Sequence, residues 1–400
     1  MKDPERLAVP FNRPSLIGTE QFYLQESIAS GHISGDGPFT DLCNEELAAA
    51  LGAKKVLLTT SCTHALEMSA LLLDIGPGDE VLVPSFTFVS TANAFCLFGA
   101  TPIFVDIRPD TLNVDESTIA AKITPRTKAI VCMHYAGVGC EMDYITRIAS
   151  RSGVSVIEDN AHGLFGRYRG KSLGTFGQMA TQSFHETKNM SCGEGGALVI
   201  NDETLIERAE VIREKGTNRR RFFHGLIDKY SWVDFGSSYL PSDLLAAYLY
   251  AQLKARAQIQ AARAKIWLRY TSELQEWCSQ NNVGLPFVPG HCEQPYHLFY
   301  LIMPSEGIRN EFIAYMKQKG VMTPFHYLPL HLSPMGSRFG AKNGDCPISE
   351  QVSVRLVRLP IYNSMSCVEQ DAVIQAIRSF KIRQAECKQQ RDSIHINAEG

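Results

Sequence analysis

Four short stretches of this 400-residue chain hold residues whose type and spacing could do chemistry. Val154-Ser155-Val156-Ile157-Glu158-Asp159 is an apolar run that ends in two carboxylates. Asp159 stands where an open α/β sheet presents ligands, at its carboxyl edge. There it could hold a cationic nitrogen or cap the next helix. Gln182 to Asn189, followed by Gly193-Glu194-Gly195-Gly196, puts Lys188 after a strand and before a glycine-rich loop. Glycines let backbone approach whatever Lys188 touches, and a desolvated lysine amine is a nucleophile for carbonyls. Thr60-Ser61-Cys62-Thr63-His64 opens a strongly apolar helix. Its free N–H groups and dipole suit a phosphate, although Ser and Thr cap many helices that bind nothing. Pro84-Ser85-Phe86-Thr87-Phe88 places aromatics past a strand end, where they could stack on a flat ring.

Together the four stretches ask for one ligand. It carries a phosphate, a flat aromatic ring, a ring nitrogen that wants a carboxylate, and an aldehyde that wants a lysine. Pyridoxal 5′-phosphate meets all four demands. No GxGxxG follows a strand, as a dinucleotide requires, and no GxxxxGK[ST] is present for a nucleoside triphosphate.

These residues need elements to position them. Lys55–Leu58, Glu80–Val83, Ile103–Asp106, Ala129–Met133, Val154–Glu158, Thr181–Phe184 and Ala197–Ile200 read as strands, and Ser61–Asp74 as a helix. Their alternation with helical patterns predicts an α/β fold with a mainly parallel sheet covered on both faces. The first 40 or so residues read as an arm or loop segment. From Ser242 to Asn281 there is no Gly or Pro, and apolar residues recur at helical spacing, which predicts one or two spine helices. His297–Met303 and Val321–His326 read as strands flanking a helix at Arg309–Lys319, a smaller α+β unit. The expected division is a large cofactor-binding domain with an N-terminal arm over 1–250 and a small C-terminal domain over 251–380. A polar tail over 381–400 is expected to be disordered.

Composition narrows the function. With 39 Lys+Arg against 42 Asp+Glu the net charge is −3, so no global attraction draws the chain to nucleic acid or an anionic membrane. Eleven scattered cysteines, with no CxxC pair and no HExxH, point to reduced thiols in a cytoplasm and to no metal site. The charge-free run Val81 to Val105 is long enough to span a bilayer. Its prolines and hydroxyl residues instead read as two buried strands and a helix.

The chain resembles the DegT/DnrJ/EryC1/StrS family of sugar aminotransferases from about Val9 to Phe380. The resemblance lies in PSFTFVSTANA at 84–94, HYAG at 134–137, EDNAHG at 158–163, SFHETKN at 183–189 and GEGGA at 193–197. REKGTNR at 213–219, DKYSW at 228–232, GSSYLPSDLLAAYL at 236–249 and FHYLPLH at 325–331 look most like the dTDP-4-amino-4,6-dideoxygalactose transaminases. The resemblance implies a fold-type I transferase, aspartate aminotransferase-like, using pyridoxal or pyridoxamine phosphate. By position Lys188 matches the lysine that binds the cofactor covalently and moves protons, and Asp159 the carboxylate on the pyridine nitrogen. His162 matches the group near the ring hydroxyl and Asp159, and Phe88 the aromatic stacked on the ring. Cys62, Thr63 and Ser183 match the phosphate holders. Ser238 stands where much of the family has an Asn that reaches the phosphate from the second subunit, and Asn160 replaces the usual Ala.

The same resemblance implies transfer of an amino group from L-glutamate to C4 of dTDP-4-keto-6-deoxy-D-glucose. The product is dTDP-4-amino-4,6-dideoxy-D-galactose, for lipopolysaccharide or enterobacterial common antigen. A homodimer with shared active sites is expected, with no nucleic acid or membrane partner. Arg219, Arg220 and Arg221 suit a diphosphate clamp or a solvated loop equally, and His326 and Tyr327 suit a polar wall for the sugar. A lone His is more often a hydrogen-bonded structural group than a catalyst, the reading that His134 and Tyr135 carry, whereas His331 suits either role equally. A related pyridoxamine-dependent dehydratase would carry His where Lys188 stands, a non-catalytic relative would lose Lys188 or Asp159, and a dinucleotide oxidoreductase would need the missing glycine fingerprint. Another keto-sugar nucleotide, aminated at C3 or with the other C4 configuration, stays open.

Overall fold

The computed structural model describes residues 8–219, 225 and 228–382. Its centre is a seven-stranded sheet of β1 (Lys55–Thr59), β2 (Glu80–Pro84), β3 (Thr101–Val105), β4 (Thr127–Met133) and β5 (Ser155–Asp159). After the short β6 (Arg167–Tyr168) and β7 (Lys171–Ser172) it continues with β8 (Met179–Ser183) and β9 (Gly196–Ile200). The strand order is β1-β9-β8-β5-β4-β2-β3. Pairings from β8 through β5, β4 and β2 to β3 are parallel, while β9 runs antiparallel to β1 and β8. Six strands therefore end on one edge.

Near-continuous apolar runs form these strands because both faces are covered. Alternation divides each strand between two cores. Leu57 and Ile157 pack on one side with the helix Cys62–Leu72, and Val56, Leu58 and Val156 on the other. On β5 the same alternation sends Glu158 and Asp159 to opposite faces. The charge-free run Val81 to Val105 forms β2, the helix Ser90–Cys96 and β3. Among the described residues no helix is long and apolar enough to cross a membrane.

The Gly- and Pro-free stretch forms two helices, Asp243–Lys254 and Arg256–Gln280. The second carries Ile259 in a core of the large sheet and Ile266, Trp267 and Tyr270 in a separate core. That second core lies between the antiparallel pair β11 (Phe299–Ile302) and β12 (Leu356–Leu359) and the helices Glu306–Gln318 and Cys367–Ser379. The latter opens on a full capping box between Ser366 and Glu369. Strand β10 (Cys292–Glu293) joins β6 and β7.

Two expectations are corrected. The N-terminal 40 residues are not all loop, for they contain the helix Glu20–Ala29 and the start of Pro38–Leu51. The Glu20 carboxylate accepts from the N–H groups of Ile17 (2.7 Å) and Gly18 (2.8 Å) and from Gln252 Nε2 (2.6 Å), which ties this segment to Asp243–Lys254. The strand expected at Val321–His326 is absent. Val321 makes one bridge to Val9, and the chain then runs irregularly to Pro329. Pro324 and Pro329 lack the N–H a ladder needs, and the Pro324 carbonyl accepts instead from Arg358 N (2.9 Å). Residues 383–400, most of the expected tail, lie outside the described residues.

Candidate active site

The singled-out stretches meet at the carboxyl edge of the sheet. Past β1, Ser61 caps the helix Cys62–Leu72, its hydroxyl accepting from His64 N (3.1 Å). Gly196 backs this turn, where a Cβ would collide with backbone atoms of Ser61 and Cys62, so the last glycine of GEGGA is required by close approach. Cys62 Sγ donates to Thr181 Oγ1 (3.3 Å), and Thr63 Oγ1 pairs with Ser90 Oγ (2.8 Å). Burial, then the Asp159 charge, pushes the Cys62 thiol far up, so it stays protonated. Ser183, at the end of β8, lies opposite Gly196 in the ladder.

Asp159 ends β5 and is buried. Its Oδ2 accepts from Thr91 Oγ1 (2.6 Å), which pairs with Thr87 Oγ1 (2.8 Å), and its Oδ1 from Ala161 N (3.2 Å). A carboxylate has about four acceptor positions, so capacity remains for a cation. Lys188 follows β8 in a turn that its own N–H closes onto His185 O (2.9 Å). Burial above all brings the Lys188 ammonium pKa down to about 8. Arg358 works in the same sense, against Cys62 and Asp159.

Above these groups lies a layer of rings. His162 packs at a tilt against His297 (centroids 4.3 Å apart) and stacks near His326 (5.9 Å), and its Nε2 is 3.4 Å from the Tyr327 hydroxyl. Tyr135 OH is 3.0 Å from His326 Nδ1, and His297 Nδ1 is 2.8 Å from Asn189 Oδ1. Burial first, then neighbouring charge, drives all three imidazoles well below the usual histidine range, so they stand neutral. His162 Nδ1 is buried without a partner among the described residues. A low-pKa amine, a carboxylate with spare capacity and an orphaned ring nitrogen fit a planar aldehyde with a basic ring nitrogen and a ring hydroxyl.

Other expected residues stand apart. Phe88 is 55% exposed, its ring 6.3 Å from Tyr327. Ser238 is exposed and bridges to Glu214. Arg219 lies near Glu214 (3.5 Å) and over the Tyr230 ring. Arg220 and Arg221 lie outside the described residues. His134 and His331 are structural: His134 accepts Cys140 N (3.1 Å) and donates to Glu158 (2.9 Å), while His331 links Ser85 (2.5 Å) to Glu350 (2.8 Å).

Sequence reasoning missed Thr91, Thr181, His297 and Arg358. Only Arg358 left a signal, a lone charge within the apolar run Leu356-Val357-Arg358-Leu359.

Comparison with known proteins shows what the whole chain is similar to. The model of the DegT/DnrJ/EryC1/StrS aminotransferase family matches residues 14–378. The spore coat polysaccharide biosynthesis protein SpsC of Bacillus subtilis (strain 168) is 36% identical over 381 residues, covering 93% of this chain and 97% of that protein. The crystal structure of the aminotransferase TlmJ from Streptoalloteichus hindustanus superposes with a TM-score of 0.86 at 30% identity, covering 93% of this chain and 98% of that one. DesV of S. venezuelae, solved in complex with a ketimine intermediate, gives 0.86 at 28% identity, covering 94% and 100%.

Proposed function

The chain belongs to the DegT/DnrJ/EryC1/StrS aminotransferase family, and on that premise we propose that it transfers an amino group from L-glutamate to C4 of dTDP-4-keto-6-deoxy-D-glucose. The product is dTDP-4-amino-4,6-dideoxy-D-galactose, made in the cytoplasm for a bacterial surface polysaccharide. It is a fold-type I aminotransferase, and its cofactor is pyridoxal 5′-phosphate. The observation that carries the reading is the buried Lys188 amine, its pKa near 8, close enough to Asp159 for the two charges to interact.

In this reading Lys188 Nζ, Asp159 and His162 hold the reacting part of the cofactor, while Cys62, Thr63 and Ser183 hold its phosphate and Phe88 covers its ring. Bound there, the cofactor supplies an electron sink for the carbon that exchanges its amino group. Asp159 keeps a proton on the ring nitrogen by its negative charge. The Lys188 amine, which loses its proton far more readily than an ordinary lysine, takes a proton from one carbon and returns it to another. The neutral imidazole of His162 offers Nδ1 to a hydroxyl beside Asp159. The thiol of Cys62, held protonated, stays out of competition with Lys188 as a nucleophile.

The sugar half of the proposal rests on the resemblance at 213–219, 228–232, 236–249 and 325–331, and on His326 and Tyr327 standing beside His162. Arg219 is the proposed diphosphate contact. The exposed Trp232, Phe235 and Leu16 fit a homodimer interface in which the segment around Ser238 reaches the partner's site. The same reading divides the chain near residue 250 into a large cofactor domain and a small C-terminal one.

The test is direct. Enzyme, glutamate and the 4-keto nucleotide should yield an axial amine at C4 by NMR. An equatorial amine, or turnover only with a 3-keto sugar, removes this substrate and leaves the aminotransferase in place.

A further inference from the structure

We infer that Arg358 is the anion-binding group for the amino donor, taking a carboxylate of a dicarboxylic amino acid beside Lys188; this rests on the aminotransferase reading. Strand β12 is apolar except for this residue. Val357 and Leu359 face the second core, whereas Leu356 faces the cluster of Phe86, Tyr135 and Tyr300. Strand alternation puts Arg358 on the Leu356 side, directly across the ladder from Tyr300. Arg358 therefore stands on the face turned toward the ring layer above Lys188.

Three contacts fix it there. Its backbone N–H donates to Pro324 O (2.9 Å), its Nη2 donates to Phe325 O (3.0 Å), and its guanidinium carbon lies 4.5 Å from the Phe11 ring centroid. Phe325 is followed by His326 and Tyr327, so the same bond sets the start of the polar wall. The Nε–H is buried with no hydrogen-bond partner among the described residues. Among the described residues the charge of Arg358 is felt by Tyr135 and Tyr327, and no carboxylate pairs with it. A guanidinium cannot shed its proton as an amine can, and a half-buried cation whose Nε–H is shut off from water is unfavourable without an anion. The site is completed by an anion brought from outside.

The chemistry selects which anion. An amino acid carries a carboxylate on the carbon that exchanges the amino group, one bond from the reaction. The planar fork of an arginine meets a carboxylate with two N–H bonds. The diphosphate of a sugar nucleotide sits at C1, across the hexose from C4, and cannot reach the same place while C4 reacts. Arg358 is close enough to Lys188, His162 and His326 for its charge to lower all three pKa values.

The experiment separates the two half-reactions on the holoenzyme. One removes the amino group from glutamate; the other removes it from the aminated sugar nucleotide, run in reverse; both are followed by cofactor absorbance. In Arg358→Gln, kcat/KM for the glutamate half should fall on the order of 10²-fold, the loss of a charge-assisted contact, while the sugar half, which meets Arg358 only through its hold on Phe325 O and its effect on Lys188, should fall far less. Arg358→Lys keeps the cation without the fork and should lose about tenfold, chiefly in the glutamate half. Should the Gln protein fail to fold, the Lys protein carries the test. Glutarate, which has no amine to exchange, should bind wild-type holoenzyme in calorimetry and bind Arg358→Gln far more weakly. An intact glutamate half, equal loss in both halves, or undiminished glutarate binding overturns the assignment. Exchange with glutamate but amination of no keto-sugar would support Arg358 while removing the sugar reading.

Discussion

Two carboxylates that are neighbours in sequence have opposite lives in the fold. Glu158 and Asp159 end the same strand and, by alternation, leave it on opposite faces. Glu158 is completely occupied, accepting from Gly174 N (2.8 Å), Phe176 N (2.7 Å), Gly177 N (2.9 Å) and His134 Nε2 (2.9 Å). Burial would raise its pKa, but the His134 and backbone hydrogen bonds outweigh that and hold it below the usual carboxylate range. Asp159 accepts from one hydroxyl and one backbone N–H, and its charge is felt by the Lys188 amine, the Cys62 thiol and the Tyr327 phenol. A buried carboxylate whose acceptor positions are all taken is a joint between loops. One with positions left over, facing groups that also lack partners, is a place where something binds.

Substitutions on both sides should separate these roles. The largest effect belongs to the functional side: Lys188→Ala should lose turnover by on the order of 10⁴-fold, as removal of a positioned acid–base group does. Its thermal midpoint should not fall, because a poorly solvated amine has been removed. Steady-state kinetics beside calorimetric melting checks both halves of that statement.

Next, Asp159→Asn should lose about 10²–10³-fold in kcat, the scale of one charge-stabilising contact in a dry site, while cofactor remains bound. A kcat near wild type would dissolve the distinction between the two carboxylates. On the structural side, Glu158→Gln should cost about 2–3 kcal/mol of stability, because an amide donor then faces backbone N–H groups. Its kcat per folded molecule should move far less than that of Asp159→Asn, as denaturant melts and active-site titration would reveal.

The smallest effect is a pH dependence. The Lys188 pKa is lowered from 10.5 to about 8, so the folded apoprotein binds fewer protons than the unfolded chain between those values. Stability should therefore rise with pH across that window, the sign expected of an amine depressed by burial. The rate at which apoprotein captures pyridoxal phosphate should climb about tenfold per pH unit below 8 and flatten above it. A profile that keeps climbing to pH 10 would mean an ordinary solvated lysine.

The sequence by itself determined the strands, the edge on which they end and the groups carried by the turns beyond them. Lys188, Asp159, Cys62 and Thr63 were legible because each sits at a strand-to-helix or strand-to-loop junction with its own local signature, an apolar run before it and glycines or hydroxyls after it. The tertiary structure alone decided which polar residues share the pocket. His134 and His162 look alike in sequence. The first is locked by Glu158 and Cys140, and the second keeps an unpartnered nitrogen. Thr91 and His297 arrive from elements 68 and 138 positions from Asp159 and have no local signature of a site, while Arg358, 199 positions away, shows only as a lone charge in an apolar strand. Phe88, Ser238 and Arg219 show the reverse, recognised by resemblance yet lying at the exposed margin within a single chain. The physical reason is common to all of them. Local pattern reports which face a residue takes and which turn it opens, whereas burial, the missing hydrogen-bond partner and the displaced pKa arise only when distant segments close around it.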